Sequence, residues 1–389
     1  MNKIYFDQAS TSYPKAPHVT DAMVRYMTQV GANVNRGCYE NAYSAEEMVY
    51  ETREQLCRLF HFEKSKNVIF TNNVTTSLNI ILKGLLKPGD HVLVSSMEHN
   101  AVMRPLVQLA ENGVAFDRIP CRQDGTMITE AVETMIRPNT RAIVTLHASN
   151  VCGTQMPLAI LGEICHRHGL FFIVDTAQTA GILPIDMEAL HIDALAFTGH
   201  KGLRGPQGTG GFLVTDELAS QMEPLISGGT GSISHTEEIP EFMPDRFEPG
   251  TPNLPGIFGL NAALSDLEAG SMQKLYEKEL SLTGYFLEKL LELDEKEKHL
   301  KIIGKKDLES RCAVVSIQTT EMDMAEAAWQ LDDAFHVMTR VGLHCAPSAH
   351  KTLGTYPQGT IRFSFGPENT KEEIEEAVLG LKQILERKL

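Results

Sequence analysis

Two hydrophobic periods exchange places along most of this chain, and that exchange constrains the fold more than any other feature. Short apolar runs at residues 68–70, 91–95, 141–146, 170–174 and 194–197 alternate with helically spaced segments such as 158–168. Runs of that length read as buried strands, and strands joined through helices lie parallel. The pattern predicts crossover units around a largely parallel sheet, an α/β arrangement. A Ser44-x-x-Glu47 box, followed by Met48, Val49, Leu56, Leu59 and Phe60 at helical spacing, predicts a helix start. Another helix is expected over 78–86. Beyond residues 255–265 the pattern changes. A long helical stretch covers 260–291, alternating strands fall at 313–318 and 360–365, and a helix is expected over 322–340. A Thr370-x-x-Glu373 box opens a final helix with Ile374, Ala377, Leu381 and Ile384 on one face. This part predicts a smaller α+β domain. The expected division is 15–258 for the large domain and 1–14 plus 259–389 for the small one.

Composition narrows the function. A net charge of −15 on 389 residues opposes general binding to nucleic acid or anionic membranes. No apolar stretch approaches the roughly 18 residues that span a bilayer, and residues 1–10 lack the apolar core of a secretory signal. The seven cysteines are odd in number, scattered and without a CxxC pair. That spacing suits neither a disulfide framework nor a zinc site, so no metal is expected. A cytoplasmic protein with reduced thiols is the expectation.

The strand ends carry the chemistry, since ligands in open α/β sheets sit beyond the carboxyl ends of strands. The run 170–174 leads into Asp175-Thr176-Ala177-Gln178, and 194–197 into Thr198-Gly199-His200-Lys201-Gly202. A lysine there can form an imine with an aldehyde cofactor if burial or nearby positive charge keeps it partly deprotonated. A carboxylate one strand away can hold a ring nitrogen protonated. Together they have the logic of pyridoxal 5′-phosphate (PLP). Val74-Thr75-Thr76-Ser77, between a strand and a helix, offers backbone N–H groups and hydroxyls to a phosphate. Each piece also has a plainer reading. Asp175 can cap the next helix, Lys201 can be a solvated lysine, and Gly202, Gly205, Gly208, Gly210 and Gly211 can be turn residues. The glycines lack the order of a nucleotide P-loop.

Strung in order, a longer set of motifs resembles the cysteine desulfurase and selenocysteine lyase family, in the class V branch of fold-type I PLP enzymes. The resemblance runs nearly end to end. It is carried by Tyr5-Phe6-Asp7-Gln8-Ala9, Asn35-Arg36-Gly37, Glu98-His99-Asn100-Ala101, Ser149-Asn150-Val151-Cys152-Gly153, Asp175-Thr176-Ala177-Gln178, Thr198-Gly199-His200-Lys201, Glu248-Pro249-Gly250-Thr251-Pro252-Asn253 and Arg340-Val341-Gly342-Leu343-His344-Cys345-Ala346. It implies a fold-type I PLP-dependent transferase with a large domain around a mainly parallel sheet and a smaller α+β C-terminal domain.

The resemblance also implies roles. Lys201 is the Schiff-base lysine and proton shuttle, Asp175 pairs with the pyridine nitrogen, and His99 stacks on the ring and assists proton transfer. Gln178 and Asn150 hydrogen-bond the ring hydroxyl side. Thr75, Thr76, Thr198 and His200 bind the phosphate. Gly250 and Thr251 reach the phosphate of a neighbouring subunit, which implies a homodimer with shared sites. Arg362 holds the substrate carboxylate, with Arg36 and His344 as secondary substrate groups. Cys345, in a Gly-, His- and Pro-containing loop, takes sulfur from L-cysteine as a persulfide and releases L-alanine, and a reductant or sulfur-acceptor protein discharges it. Selenocysteine lyase, another PLP β-lyase, an aminotransferase and a non-catalytic scaffold are the alternatives. The sequence departs from the family at Asn100, where many group-two members have a second His, and at Val74, where a Thr is usual.

Overall fold

The computed structural model describes residues 3–35, 37–270, 272–294 and 298–386. Its central sheet has seven strands, in the spatial order Val68–Thr71, Gly210–Val214, Ala194–Thr198, Phe171–Asp175, Thr140–Leu146, His91–Ser95 and Ala115–Ile119. The last five of these run parallel. Gly210–Val214 runs antiparallel to both its neighbours. Successive residues of one strand face opposite sides, so each strand feeds two cores. Leu93, Ile143, Phe172 and Leu195 pack on one side, and Val92, Val144, Ile173 and Ala194 on the other. Helices cover both faces, which is why these strands read as continuous apolar runs instead of alternating ones.

The C-terminal part is built on a four-stranded antiparallel sheet in the order Arg340–Gly342, Thr360–Ser364, Val314–Thr319, Leu300–Ile303. The helices Met272–Leu293, Met324–Phe335 and Lys371–Glu386 supply the rest of its core. The chain's beginning joins this core. Ile4–Tyr5 pairs in parallel with Val337–Met338, and the Phe6 ring meets Phe365 edge-on at 5.0 Å. The expected division after residue 258 falls within the helix Leu254–Ala269, whose Leu260, Leu264 and Leu267 pack into the large-sheet core.

Four sequence expectations are corrected. Ser44 does not start a helix; it lies inside Glu40–Phe60, which begins after the extended residue Tyr39. The stretch 260–291 is two helices, Leu254–Ala269 and Met272–Leu293, because Gly270 leaves helical geometry at ψ −164°. The helix expected over 322–340 is Met324–Phe335. It is capped by Asp323 and stopped by His336 at φ 57°, after which the chain enters two short strands. The expected helix over 78–86 starts earlier, at Val74, with Asn73 as its cap. The final helix does carry the predicted reciprocal cap. Glu373 N–H donates to Thr370 Oγ1 at 3.2 Å, and Thr370 N–H donates to Glu373 Oε2 at 3.1 Å. Among the described residues no helix is long and apolar enough to cross a membrane.

Replacing an N-cap Thr by Ala removes one acceptor from the first helical turn. Thr370→Ala is expected to lower stability by about 1 kcal/mol, measured as a shift in the urea unfolding midpoint at unchanged slope.

Candidate active site

The strands Phe171–Asp175 and Ala194–Thr198 are parallel neighbours, with Asp175 opposite Ala196. Their ends deliver Asp175 and the turn that carries Lys201 to the same place. The turn is drawn close to its neighbour: a Cβ at Gly202 would lie 2.5 Å from the Ala180 carbonyl oxygen. Asp175 is buried. Its Oδ1 accepts from Ala177 N–H at 2.9 Å, and burial raises its carboxyl, opposed by that hydrogen bond and by the charge of Lys201. Burial pushes the Lys201 ammonium down to about 8; Asp175 resists this, while Arg362 and Arg340 add to it. A lysine so placed has a substantial neutral fraction near physiological pH. It also lines a cavity of about 50 Å³ with Gln178, Arg204 and Glu279. Gln178 donates from Nε2 to the Ala9 carbonyl at 3.1 Å.

His99 caps the helix Asn100–Ala110. Its Nδ1 accepts from Ala101 N–H at 3.0 Å, which places the proton of the neutral ring on Nε2. Burial, then the charges of Lys201, Arg104 and Arg362, pushes this imidazole down to about 4, so it is neutral near pH 7.

Cys345 sits between the strand Arg340–Gly342 and the helix Pro347–Leu353. His344 and Cys345 have φ of 46° and 57°. Left-handed backbone at two successive non-glycine residues costs of order 1–3 kcal/mol each and needs outside support. Asn100 N–H donates to the Cys345 carbonyl at 2.8 Å, and Asn150 Nδ2 donates to the His344 carbonyl at 2.8 Å. Both bonds tie the loop to segments that follow strands of the seven-stranded sheet. Cys345 is exposed, whereas Cys57, Cys152, Cys165 and Cys312 are buried and Cys121 is partly so. Burial pushes the Cys57 and Cys312 thiols up to about 12 and Cys121 to about 11, which keeps them protonated. Cys38 is also exposed.

Arg362, on the strand Thr360–Ser364, is buried. It donates from Nη2 to Asp7 Oδ1 at 2.9 Å and from Nη1 to the Asn150 carbonyl at 3.0 Å. Asp7 also accepts from Arg340 Nη2 at 2.8 Å and Nε at 3.1 Å. Arg340 is raised above its ordinary value chiefly by those bonds, with Cys345 among the groups acting on it. This three-residue network was not read from the sequence. Asp7 and Arg340 both lie inside quoted motifs, yet 333 residues separate them, and spacing gives no sign of such pairs. His344 is buried behind the loop, with Nε2 2.9 Å from Thr360 Oγ1, and burial pushes it down to about 2. Arg36 lies outside the described residues.

The residues expected around a phosphate fall at one end of the sheet. Thr76 donates its N–H to Asn73 Oδ1 at 2.9 Å, in the first turn of Val74–Leu85. Thr71 and Thr198 both pair with Gly210, where a Cβ would meet Asn73 Cα at 2.7 Å. Thr76, Gly210, Gly250 and Thr251 line one cavity of about 560 Å³. Within a single chain, therefore, Gly250 and Thr251 face the same groove as Thr76. Thr75 is exposed, and its carbonyl accepts from Asn79. The His200 carbonyl anchors Ser12 N–H at 2.9 Å, while the imidazole is pushed down to about 4 by burial and by Lys201 and Lys15.

The model of the aminotransferase class-V family matches residues 4–377. The chain belongs to the aminotransferase class-V family. This family is PLP-dependent. A probable cysteine desulfurase of Methanothermobacter thermautotrophicus is 30% identical over 376 residues, 96% of this chain and 92% of the relative. A cysteine desulfurase of Shigella flexneri is 31% identical, covering 98% of this chain and 93% of the relative. The apo structure of a cysteine desulfurase from Thermococcus onnurineus NA1 superposes with a TM-score of 0.92 at 31% identity, over 99% of this chain and 95% of that one. The expected fold class is thereby borne out, with its mainly parallel central sheet and α+β C-terminal part.

The Asp7 carboxyl is lowered from 3.8. Burial alone would raise it, but the hydrogen bonds from Arg340 and Ser10 and the charges of both arginines outweigh burial. A carboxylate with a depressed folded pKa stabilises above its unfolded pKa and loses that contribution as pH falls through the folded value. Acid unfolding monitored by circular dichroism is expected to show this loss below about pH 4. In Asp7→Asn that acid-dependent component disappears. The variant is also less stable at neutral pH by about 3 kcal/mol, because Arg362 is left buried without its counter-charge.

Proposed function

We propose that this chain is a PLP-dependent cysteine desulfurase. It converts L-cysteine to L-alanine and leaves a persulfide on Cys345. The observation that carries the reading is the convergence of Lys201, Asp175, His99 and Arg362 in one electrostatic neighbourhood, next to an exposed Cys345 whose backbone is tied to Asn100. The similar proteins named above point the same way.

The residues present fit PLP. Asn150 Oδ1, His200 Nδ1 and Arg362 Nε are buried without hydrogen-bond partners among the described residues. Such atoms cost stability unless a bound group satisfies them. Lys201 would hold the cofactor aldehyde, Asp175 its ring nitrogen, and Asn150 and Gln178 its hydroxyl side. Thr75, Thr76, Thr198, His200 and the start of the helix Val74–Leu85 would hold its phosphate. Gly250 and Thr251 would serve the phosphate of a second subunit in a homodimer. When bound, PLP supplies an electron sink for charge developing at the substrate α-carbon.

The protein's own groups do the rest. Arg362 receives the substrate carboxylate through its guanidinium. Lys201 Nζ, its ammonium pushed down to about 8 by burial, removes and returns the α-proton. His99 lies beside it, with its one ring proton on Nε2. Cys345 Sγ takes the substrate sulfur: an S–S bond forms as the substrate Cβ–S bond breaks, and a proton returned to carbon completes L-alanine. A thiol or a sulfur-acceptor protein then discharges the persulfide. Cys57, Cys121, Cys152, Cys165, Cys312 and Cys345 form no disulfide, which suits a cytoplasmic setting.

Alanine and sulfide release from L-cysteine, with dithiothreitol as reductant, tests the reading. Cys345→Ala is expected to lose about a hundredfold or more in rate, with the visible absorption of bound cofactor intact. Equal rates in both proteins, or none in either, would overturn the persulfide step and favour L-selenocysteine or another β-substituted amino acid as substrate. Lys201→Ala is expected to abolish both turnover and the lysine-linked absorption band.

A further inference from the structure

The helices Asn100–Ala110 and Pro347–Leu353 help to wall a cavity of about 500 Å³. It lies next to the Cys345 loop. Its lining includes Pro347, two residues on, and Asn100, whose N–H holds the Cys345 carbonyl. Thr352 Oγ1 donates to the Ser96 carbonyl at 3.2 Å, which fixes one wall to the end of the strand His91–Ser95.

The charged residues of the lining are Arg104, Arg118, Lys351 and Glu111. Among the described residues none of the three cations has an ion-pair partner. Arg118 donates to Ser348 Oγ at 3.3 Å and lies over the Phe116 ring, and Lys351 lies over Tyr356. Other arginines here, such as Arg53, Arg137, Arg204 and Arg362, each meet a carboxylate. Three unneutralised cations against one carboxylate, in a chain of net charge −15, form a local field of opposite sign to the whole. A concavity of this size takes a small ligand, and its field favours an anion.

We propose that this cavity admits a small thiol bearing at least two anionic groups, which accepts the sulfur from Cys345. The proposal rests on the desulfurase reading above. Arg104, Arg118 and Lys351 hold the anionic groups. The acceptor thiolate attacks the terminal sulfur of the Cys345 persulfide. A new S–S bond forms on the acceptor, the bond from Cys345 Sγ to that sulfur breaks, and Cys345 leaves as the thiolate. Sulfur keeps its oxidation state in the exchange, so no further oxidant or reductant is needed.

Two measurements on the PLP-loaded enzyme test this. In the first, L-cysteine turnover is followed with mercaptosuccinate, which has two carboxylates, and with 2-mercaptoethanol, which has none, at matched thiolate concentrations. Wild type is expected to use mercaptosuccinate with a kcat/KM about tenfold higher. That ratio falls towards one in Lys351→Glu, in the milder Lys351→Gln and in high salt. In the second, calorimetry measures binding of the S-methyl ether of mercaptosuccinate, which cannot react. Saturable binding that weakens in Arg118→Glu and Lys351→Glu supports the site. No binding to wild type overturns it. Binding with equal use of the two thiols overturns the acceptor role. Binding without alanine release in the presence of either thiol removes the desulfurase reading, and the acceptor role with it, while leaving an anion site.

Discussion

One carboxylate joins the two ends of this chain. Asp7 accepts from Arg340 and from Arg362, whose partners in sequence are more than three hundred residues away. The charge balance is uneven, two guanidinium groups against one carboxylate, and Arg362 retains an unpartnered Nε. That surplus leaves the pair open to a second carboxylate. Burying Arg362 without Asp7 would leave an uncompensated cation in a low-dielectric setting, at a cost of several kcal/mol. The same network adds to the field at Lys201, whose ammonium is pushed down first by burial, held up by Asp175, pushed further by Arg362 and Arg340 and held up by Asp7. The bridge that joins the two ends of the chain thus also bears on the protonation of Lys201.

Much of this was legible in sequence, for physical reasons. Parallel strands buried on both faces must be continuously apolar, so the runs ending in Asp175 and Thr198 announced themselves. The reciprocal cap of Thr370 and Glu373 is local, and it formed as read. What failed was also local in cause. Ser44-x-x-Glu47 matches a cap pattern, but the helix begins at Glu40 because the chain turns out of extended geometry at Tyr39. The 322–340 segment keeps helical spacing past the point where His336 leaves right-handed geometry. Periodicity sees neither a backbone reversal nor the sheet edge that follows it.

The site divides in the same way. Lys201, Asp175 and His99 sit at strand or helix ends, where position along the chain foretells position in space. Of the seven thiols, the loop context of Cys345 marked it out, and exposure sets it apart from the five buried or half-buried ones. The Asp7 bridge is a tertiary contact between motifs, each of which looked complete alone. The basic cavity beside the Cys345 loop was equally hidden, because Arg104, Arg118 and Lys351 come from three separate elements.

The strands Arg340–Gly342 and Thr360–Ser364 are hydrogen-bonded neighbours, with Arg340 opposite Arg362 and Gly342 opposite Thr360. Arg362 and the loop that bears Cys345 are therefore mounted on one plate. Neither can be retuned in distance from the lysine without carrying the other. Leu343 to Ala346 link this plate to the helix Pro347–Leu353, and hydrogen bonds from Asn100 and Asn150 pin that link in place. The place of the Cys345 thiol is therefore set by the neighbours that hold its short loop as much as by the loop itself.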